Sequence, residues 1–154
     1  MPMVEIRPAM MTDVALLKDI FSKASLSNEG DRDVLLANPD ALELPIGAIQ
    51  EGRTRVATVA DDRVVAFAST AMFDEFVEVE DLFVLPEWMG RGLGRALVED
   101  IVAAAEARGA LRVEVTANHH ALAFYSKLGF VFDREVTTRF GSAPRLRLDL
   151  PGRA

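Results

Sequence analysis

The chain has 154 residues, half of them hydrophobic, no cysteine and a formal net charge of −7. This is one domain's length with apolar residues enough for a sizeable core, so a single domain over residues 1–154 is expected. The composition excludes disulfides, cysteine-ligated zinc and cysteinyl intermediates, and the acidic balance speaks against a nucleic-acid partner.

No apolar run approaches the ~20 residues that cross a bilayer, and no signal-peptide pattern opens the chain, so a cytoplasmic protein with no membrane partner and no metal is expected. Val4–Pro8 alternates like a short strand and stops at its proline. Thr12 reads as a helix N-cap with Asp13 in the first turn, ahead of Val14, Leu17, Ile20 and Phe21 at helical spacing. Residues 31–37 suggest a second short helix, and residues 38–50, punctuated by Pro and Gly, a covering loop. Strands follow at 55–60, 64–72 and 75–85, the first two joined by an Asp61-Asp62 turn. A long helix is predicted over 92–108, with Leu93, Leu97, Ile101 and Ala104/Ala105 as its apolar stripe and Gly109 as its C-terminal cap. A strand over 111–115, a helix over 121–128 and strands over 130–137 and 145–150 complete the order β-α-α-β-β-β-α-β-α-β-β. An α/β fold follows, a mixed sheet with helices on both faces.

The segment Leu82-Phe83-Val84-Leu85-Pro86-Glu87-Trp88-Met89-Gly90-Arg91-Gly92-Leu93-Gly94-Arg95 runs from a buried strand through a glycine-rich turn into an amphipathic helix. Alternating glycines leave backbone N–H groups uncovered at the positive end of that helix, an arrangement that binds phosphate, and Arg91 and Arg95 can add charge. A tight turn with close backbone packing is the alternative. A P-loop does not fit, because Gly94 is followed by Arg95-Ala96 rather than Lys-Ser/Thr. A dinucleotide fingerprint does not fit either, its third glycine coming one residue too soon. Trp88 reads as packing the loop against the core.

The second informative segment is Asn118-His119-His120-Ala121-Leu122-Ala123-Phe124-Tyr125-Ser126-Lys127-Leu128-Gly129-Phe130. Together the two segments resemble the GNAT N-acetyltransferase superfamily. Gly92 and Gly94 match its Gln/Arg-x-x-Gly-x-Gly/Ala acyl-CoA loop. Asn118, Ala121, Phe124, Tyr125, Lys127, Gly129 and Phe130 match its Asn-x-x-Ala-x-x-Phe-Tyr-x-Lys-x-Gly-Phe pattern. The resemblance covers roughly residues 54–136, and Met89 departs from it where the family has Gln or Arg.

The resemblance implies a mainly antiparallel mixed sheet and transfer of an acetyl group from acetyl-CoA to a primary amine of a small molecule or peptide. A protein lysine or N-terminal amine as acceptor, or a non-catalytic acyl-CoA-binding module, is the alternative. It further implies that the backbone of Leu82, Phe83 and Val84 pairs with the pantetheine arm, the Val84 N–H polarising the thioester carbonyl. The amides of Met89, Gly90, Arg91, Gly92, Leu93, Gly94 and Arg95 would hold the pyrophosphate, with Asn118 also contacting the cosubstrate. Tyr125 would be the general acid, and a homodimer is compatible with the pairing of many relatives. Asn118 can equally be a helix N-cap, and Tyr125 an aromatic at a helix–sheet junction. For the general base the candidates are Glu78 and Glu80, which share one strand face, with Glu80 nearer the proposed oxyanion donor. Asp74, Glu75, Glu78, Glu80 and Asp81 form an acidic stretch that favours a cationic amine or is simply a solvated face. His119 and His120 read as solvent-facing.

Overall fold

Short apolar and partly alternating runs place strands close to where the sequence predicts them. The computed structural model describes residues 4–151. Strand β1 (Glu5–Pro8) leads through a 3-10 turn (Met11–Asp13) into helices α1 (Val14–Leu26) and α2 (Glu29–Ala37). The stretch read as a loop contains a second 3-10 turn (Pro39–Leu42) and one helical turn, α3 (Gly47–Gln50). Strands β2 (Thr54–Val59), β3 (Arg63–Met72) and β4 (Phe76–Val84) follow, then α4 (Leu93–Ala107), β5 (Arg112–Thr116), α5 (Leu122–Lys127), β6 (Val131–Thr138) and β7 (Gly141–Asp149). The expected order is recovered with α3 added. The strands form one mixed sheet in the order β1-β2-β3-β4-β5-β7-β6. β4 and β5 pair in parallel, whereas β1–β2, β2–β3, β5–β7 and β6–β7 are antiparallel.

The chain forms two compact units: the first takes the chain up to Ser69 together with Asp81–Val98, the second Thr70–Glu80 and the chain from Glu99 on. In the first, Val56, Val65 and Phe67 of the strands and Leu17 and Ile20 of α1 are buried. Phe83 lies edge-on to Phe21 (ring centroids 4.9 Å apart) and 5.7 Å from Phe67. Entry into α1 differs from the expectation. Thr12 is exposed and does not cap the helix. The buried Asp13 does the anchoring, accepting from the Met10 N–H (2.8 Å) and from Arg7 Nη1 (2.9 Å) and Nη2 (3.1 Å). Arg7 Nε also donates to Asp62 (3.0 Å), so one guanidinium ties β1 to the start of α1 and to the β2–β3 turn.

In the second unit β5 takes β4 on one edge and β7 on the other. Alternation buries Val77 and Val79, Val113 and Val115, and Leu146, leaving Glu78, Glu114 and Arg145 on the opposite side of their strands. Along α4 the buried residues are Leu93, Leu97, Val98, Ile101 and Ala105, so the stripe includes Val98 and leaves Ala104 outside. Gly109, at φ 81°, closes the helix: its N–H reaches the Glu106 carbonyl (3.1 Å) and the Ala110 N–H that of Ala105 (3.0 Å).

Candidate active site

The first group of site residues lies where β4 gives way to α4. Pairing of β4 with β5 runs from Phe76↔Arg112 to Val79↔Val115, and β4 continues to Val84. Because Phe83 turns toward Phe21 and Phe67, alternation puts Leu82 and Val84 on the other side of the strand. The Leu85 N–H then donates to the Val65 carbonyl (2.9 Å), and Pro86 opens a 3-10 turn, Pro86–Trp88.

The backbone reverses through Gly90 (φ 76°) and Gly92 (φ 84°), values that strain residues bearing a Cβ. A Cβ added at either would meet nothing within 4 Å, so these glycines serve the path of the backbone and the space above them is open. Close internal packing is not their reason. The first helical bond of α4 across the turn runs from the Ala96 N–H to the Gly92 carbonyl (3.0 Å). The amides of Leu93 and Gly94 precede it in the first turn, at the positive end of the helix dipole. The Leu93 side chain is buried, so at that position only the backbone faces outward. Met89 is half exposed, and its N–H donates to the Pro86 carbonyl (3.3 Å). The Arg91 guanidinium lies 4.7 Å and that of Arg63 5.7 Å from the centre of the half-buried Trp88 ring. Trp88, expected only to pack the loop, thus also carries two arginines.

In the second unit, Asn118 is the N-cap of a 3-10 turn (His119–Ala121), its Oδ1 accepting from the Ala121 N–H at 3.0 Å. His119 and His120 are exposed. From α5, Tyr125 points inward with 4% of its surface exposed. Its ring stands edge-on to Phe124 (5.0 Å) and Phe130 (5.3 Å). Burial pushes the Tyr125 phenol above its ordinary pKa, so it stays protonated at neutral pH.

The two candidate bases have different surroundings. Glu78 is in a charged network that sequence reasoning missed: Arg145 Nη1 donates to Glu78 (2.5 Å) and to Thr116 Oγ1 (2.9 Å), while Arg145 Nε donates to Glu114 (2.9 Å). Arg112 Nε closes on the other Glu114 oxygen at 2.7 Å. Burial opposes the charge of Glu114, but Arg112 and Arg145 overcome it and hold that carboxyl below its usual range. Charges at every second position of Arg112-Val113-Glu114 and Arg145-Leu146-Arg147 are the signal that could have exposed this face. Glu80 is exposed.

The β4 strand, the glycine turn and the helix start that follows it are the elements on which the sequence resemblance to the GNAT superfamily rests. Residues 17–130 match the family model described as Acetyltransferase (GNAT) family. The chain belongs to that family. One curated relative is "[Ribosomal protein bS18]-alanine N-acetyltransferase" of Salmonella typhimurium, 42% identical over 46% of this chain and 50% of its own. Another is a glucosamine 6-phosphate N-acetyltransferase of Trypanosoma brucei brucei, 33% identical over 44% of this chain and 51% of its own. The chain thus spans about half the length of these curated relatives. Among solved structures, PaiA N-acetyltransferase from Thermoplasma acidophilum in complex with coenzyme A superposes with a TM-score of 0.78 at 18% identity, over 96% of this chain and 99% of that one. At that identity it shows the shared fold. Among the described residues, no helix is long and apolar enough to cross a membrane.

Proposed function

We propose that this protein is an acetyl-CoA-dependent N-acetyltransferase, one acyltransferase domain over residues 1–154, acting on a primary amine of a small molecule or peptide. The observation that carries the proposal is the Gly90–Gly92 turn, with open space above both glycines and the first-turn amides of α4 directly behind it. Such a turn fits the diphosphate of coenzyme A. The amides from Met89 to Arg95 would hold it, and the backbone of Leu82, Phe83 and Val84 would receive the pantetheine arm. Bound there, acetyl-CoA supplies an acyl group activated as a thioester.

The chain's own groups then meet three demands. The Val84 N–H stabilises charge on the carbonyl oxygen, Glu80 accepts a proton from the attacking amine through water, and Tyr125 donates one to the sulfur as the C–S bond breaks. Burial keeps the phenol in its protonated form, the form a donor needs, while making it a weaker acid than a free tyrosine. The Arg145 pairing of Glu78 supports Glu80 as the base. A protein N-terminal amine is the second reading of the acceptor, favoured by the ribosomal-protein alanine that the Salmonella relative is named for. The test follows free thiol from acetyl-CoA over an amine panel that includes small amines and an alanine-terminated peptide. Amine-dependent thiol release, lost in Gly94→Glu while its circular dichroism is unchanged, is the expected result. No release with any amine, or full activity in the folded variant, refutes the proposal.

A further inference from the structure

Trp88 gathers two cations that the chemistry above does not need. Arg91 comes from the glycine turn itself. Arg63 comes from the start of β3, a strand whose Val65 carbonyl is bonded to the Leu85 N–H just before that turn. One guanidinium over an indole is a favourable pair, but a second on the same ring adds like-charge repulsion that an anion would offset. This chain has 24 acidic residues for 17 Lys and Arg. Six other arginines use them: Arg7, Arg53, Arg112, Arg134, Arg145 and Arg147 each pair with a carboxylate. Among the described residues, no carboxylate pair is recorded for Arg63 or Arg91, and both are exposed.

We propose that Arg63 and Arg91, held on Trp88, bind the 3′-phosphate of coenzyme A. This rests on the acetyl-CoA reading of the glycine turn. Coenzyme A carries two separate phosphate groups on one ribose, a 5′-diphosphate and a 3′-phosphomonoester. Backbone amides suffice for the first, as Gly90 and Gly92 leave them uncovered. The second is close to a dianion at pH 7 and matches a pair of guanidinium forks, which bind phosphate more specifically than lysine does. Arg91 lies between the two glycines, so it sits within a ribose's reach of any diphosphate held there. Stacking on the indole limits the rotamers of both arginines and lowers the ordering cost of binding. The pair therefore sets a preference for coenzyme A over its 3′-dephospho form.

Calorimetry with acetyl-CoA and 3′-dephospho-acetyl-CoA tests this on the intact protein, with circular dichroism as the folding control. Two charge-assisted contacts correspond to a wild-type preference for acetyl-CoA of about tenfold or more. Arg63→Gln and Arg91→Gln should each shrink that ratio several-fold, and the double variant should bring it close to one with little change for the dephospho ligand. A ratio insensitive to both substitutions overturns the assignment, as does a loss that is equal for both ligands. Equal wild-type affinity for the two ligands overturns this inference and leaves the acetyl-CoA reading standing. Binding of neither removes both.

Discussion

Tyr125 is the sole tyrosine of the chain, which allows its ionisation and its catalytic part to be measured separately. Tyr125→Phe removes one oxygen and keeps the ring that stands edge-on to Phe124 and Phe130. Among the described residues the Tyr125 hydroxyl makes no hydrogen bond, so its loss should leave Tm within about 2 °C of wild type. Tyr125→Ala would instead empty a site only 4% exposed. That change costs about 3–5 kcal/mol and lowers Tm by about 10 °C or more. If the phenol protonates the leaving sulfur, Tyr125→Phe should cut kcat by about 10²-fold or more with the acetyl-CoA Kd nearly unchanged. Equal kcat in the two proteins would leave Tyr125 as a packing residue.

The same phenol predicts an alkaline signature. Its folded pKa is raised by burial above the unfolded value, so its contribution to stability is complete below about pH 10, the ordinary tyrosine value. As pH rises from there toward the folded pKa, that contribution is lost, because the unfolded chain gives up the proton more readily. Ultraviolet difference titration of wild type should therefore show no phenolate while the fold persists, and Tyr125→Phe should resist alkaline unfolding better. A phenolate titrating near pH 10 in a protein that keeps its native circular dichroism would refute the buried-donor argument.

Two further predictions concern carboxylates. Glu80→Gln should lower turnover and remove the acidic limb of the pH–rate profile while acetyl-CoA binding persists; Glu78→Gln should affect the profile less and lower Tm more, since it removes one of the two carboxylates that Arg145 bonds. A wild-type profile in both single variants and the double variant would rule out either as the base. Asp13 has its pKa lowered chiefly by the Arg7 hydrogen bonds, so its stabilisation is present above the unfolded value of about 4 and is lost as pH falls through the folded one. Asp13→Asn should lower Tm at pH 7 by about 6–12 °C, for a cost of about 3 kcal/mol, and flatten acid unfolding below pH 4; an unchanged acid limb would refute the role of this pair.

Most of the fold was legible because its signals are local. The short apolar runs of β2 and β3, the alternation at the start of β4 and the 3.6-residue spacing in α4 can be read within one window, and the glycine turn is announced by its own letters. What was not legible depends on partners far along the chain. Thr12 has the right chemistry and position for an N-cap, yet Asp13 does the anchoring because Arg7 of β1 reaches its carboxylate, and Arg7 is itself held by Asp62, 55 residues on. The single turn Gly47–Gln50 lies in a stretch that composition marks as loop, and four residues are too few to show a helical period. Trp88 read as packing because nothing nearby shows that Arg63 arrives on its ring from β3.

The pair Glu78 and Glu80 shows how far a one-dimensional reading reaches. Two residues apart, they share a strand face, and the letters separate them only by distance from Val84. The pairing of β4 with β5 sets Glu78 opposite Glu114, and that of β5 with β7 sets Thr116 opposite Arg145. Those registers bring a single guanidinium within reach of both carboxylates, so two like charges on adjacent strands become tolerable only with Arg145 between them. A carboxylate used to offset a buried cation is poorly suited to take up a proton in each turnover, because protonation would leave Arg145 underpaired. Glu80 lies one pleat further along, beyond the last β4–β5 register pair, Val79↔Val115. What sets Glu78 apart is an arginine 67 residues away, which no local pattern could reveal.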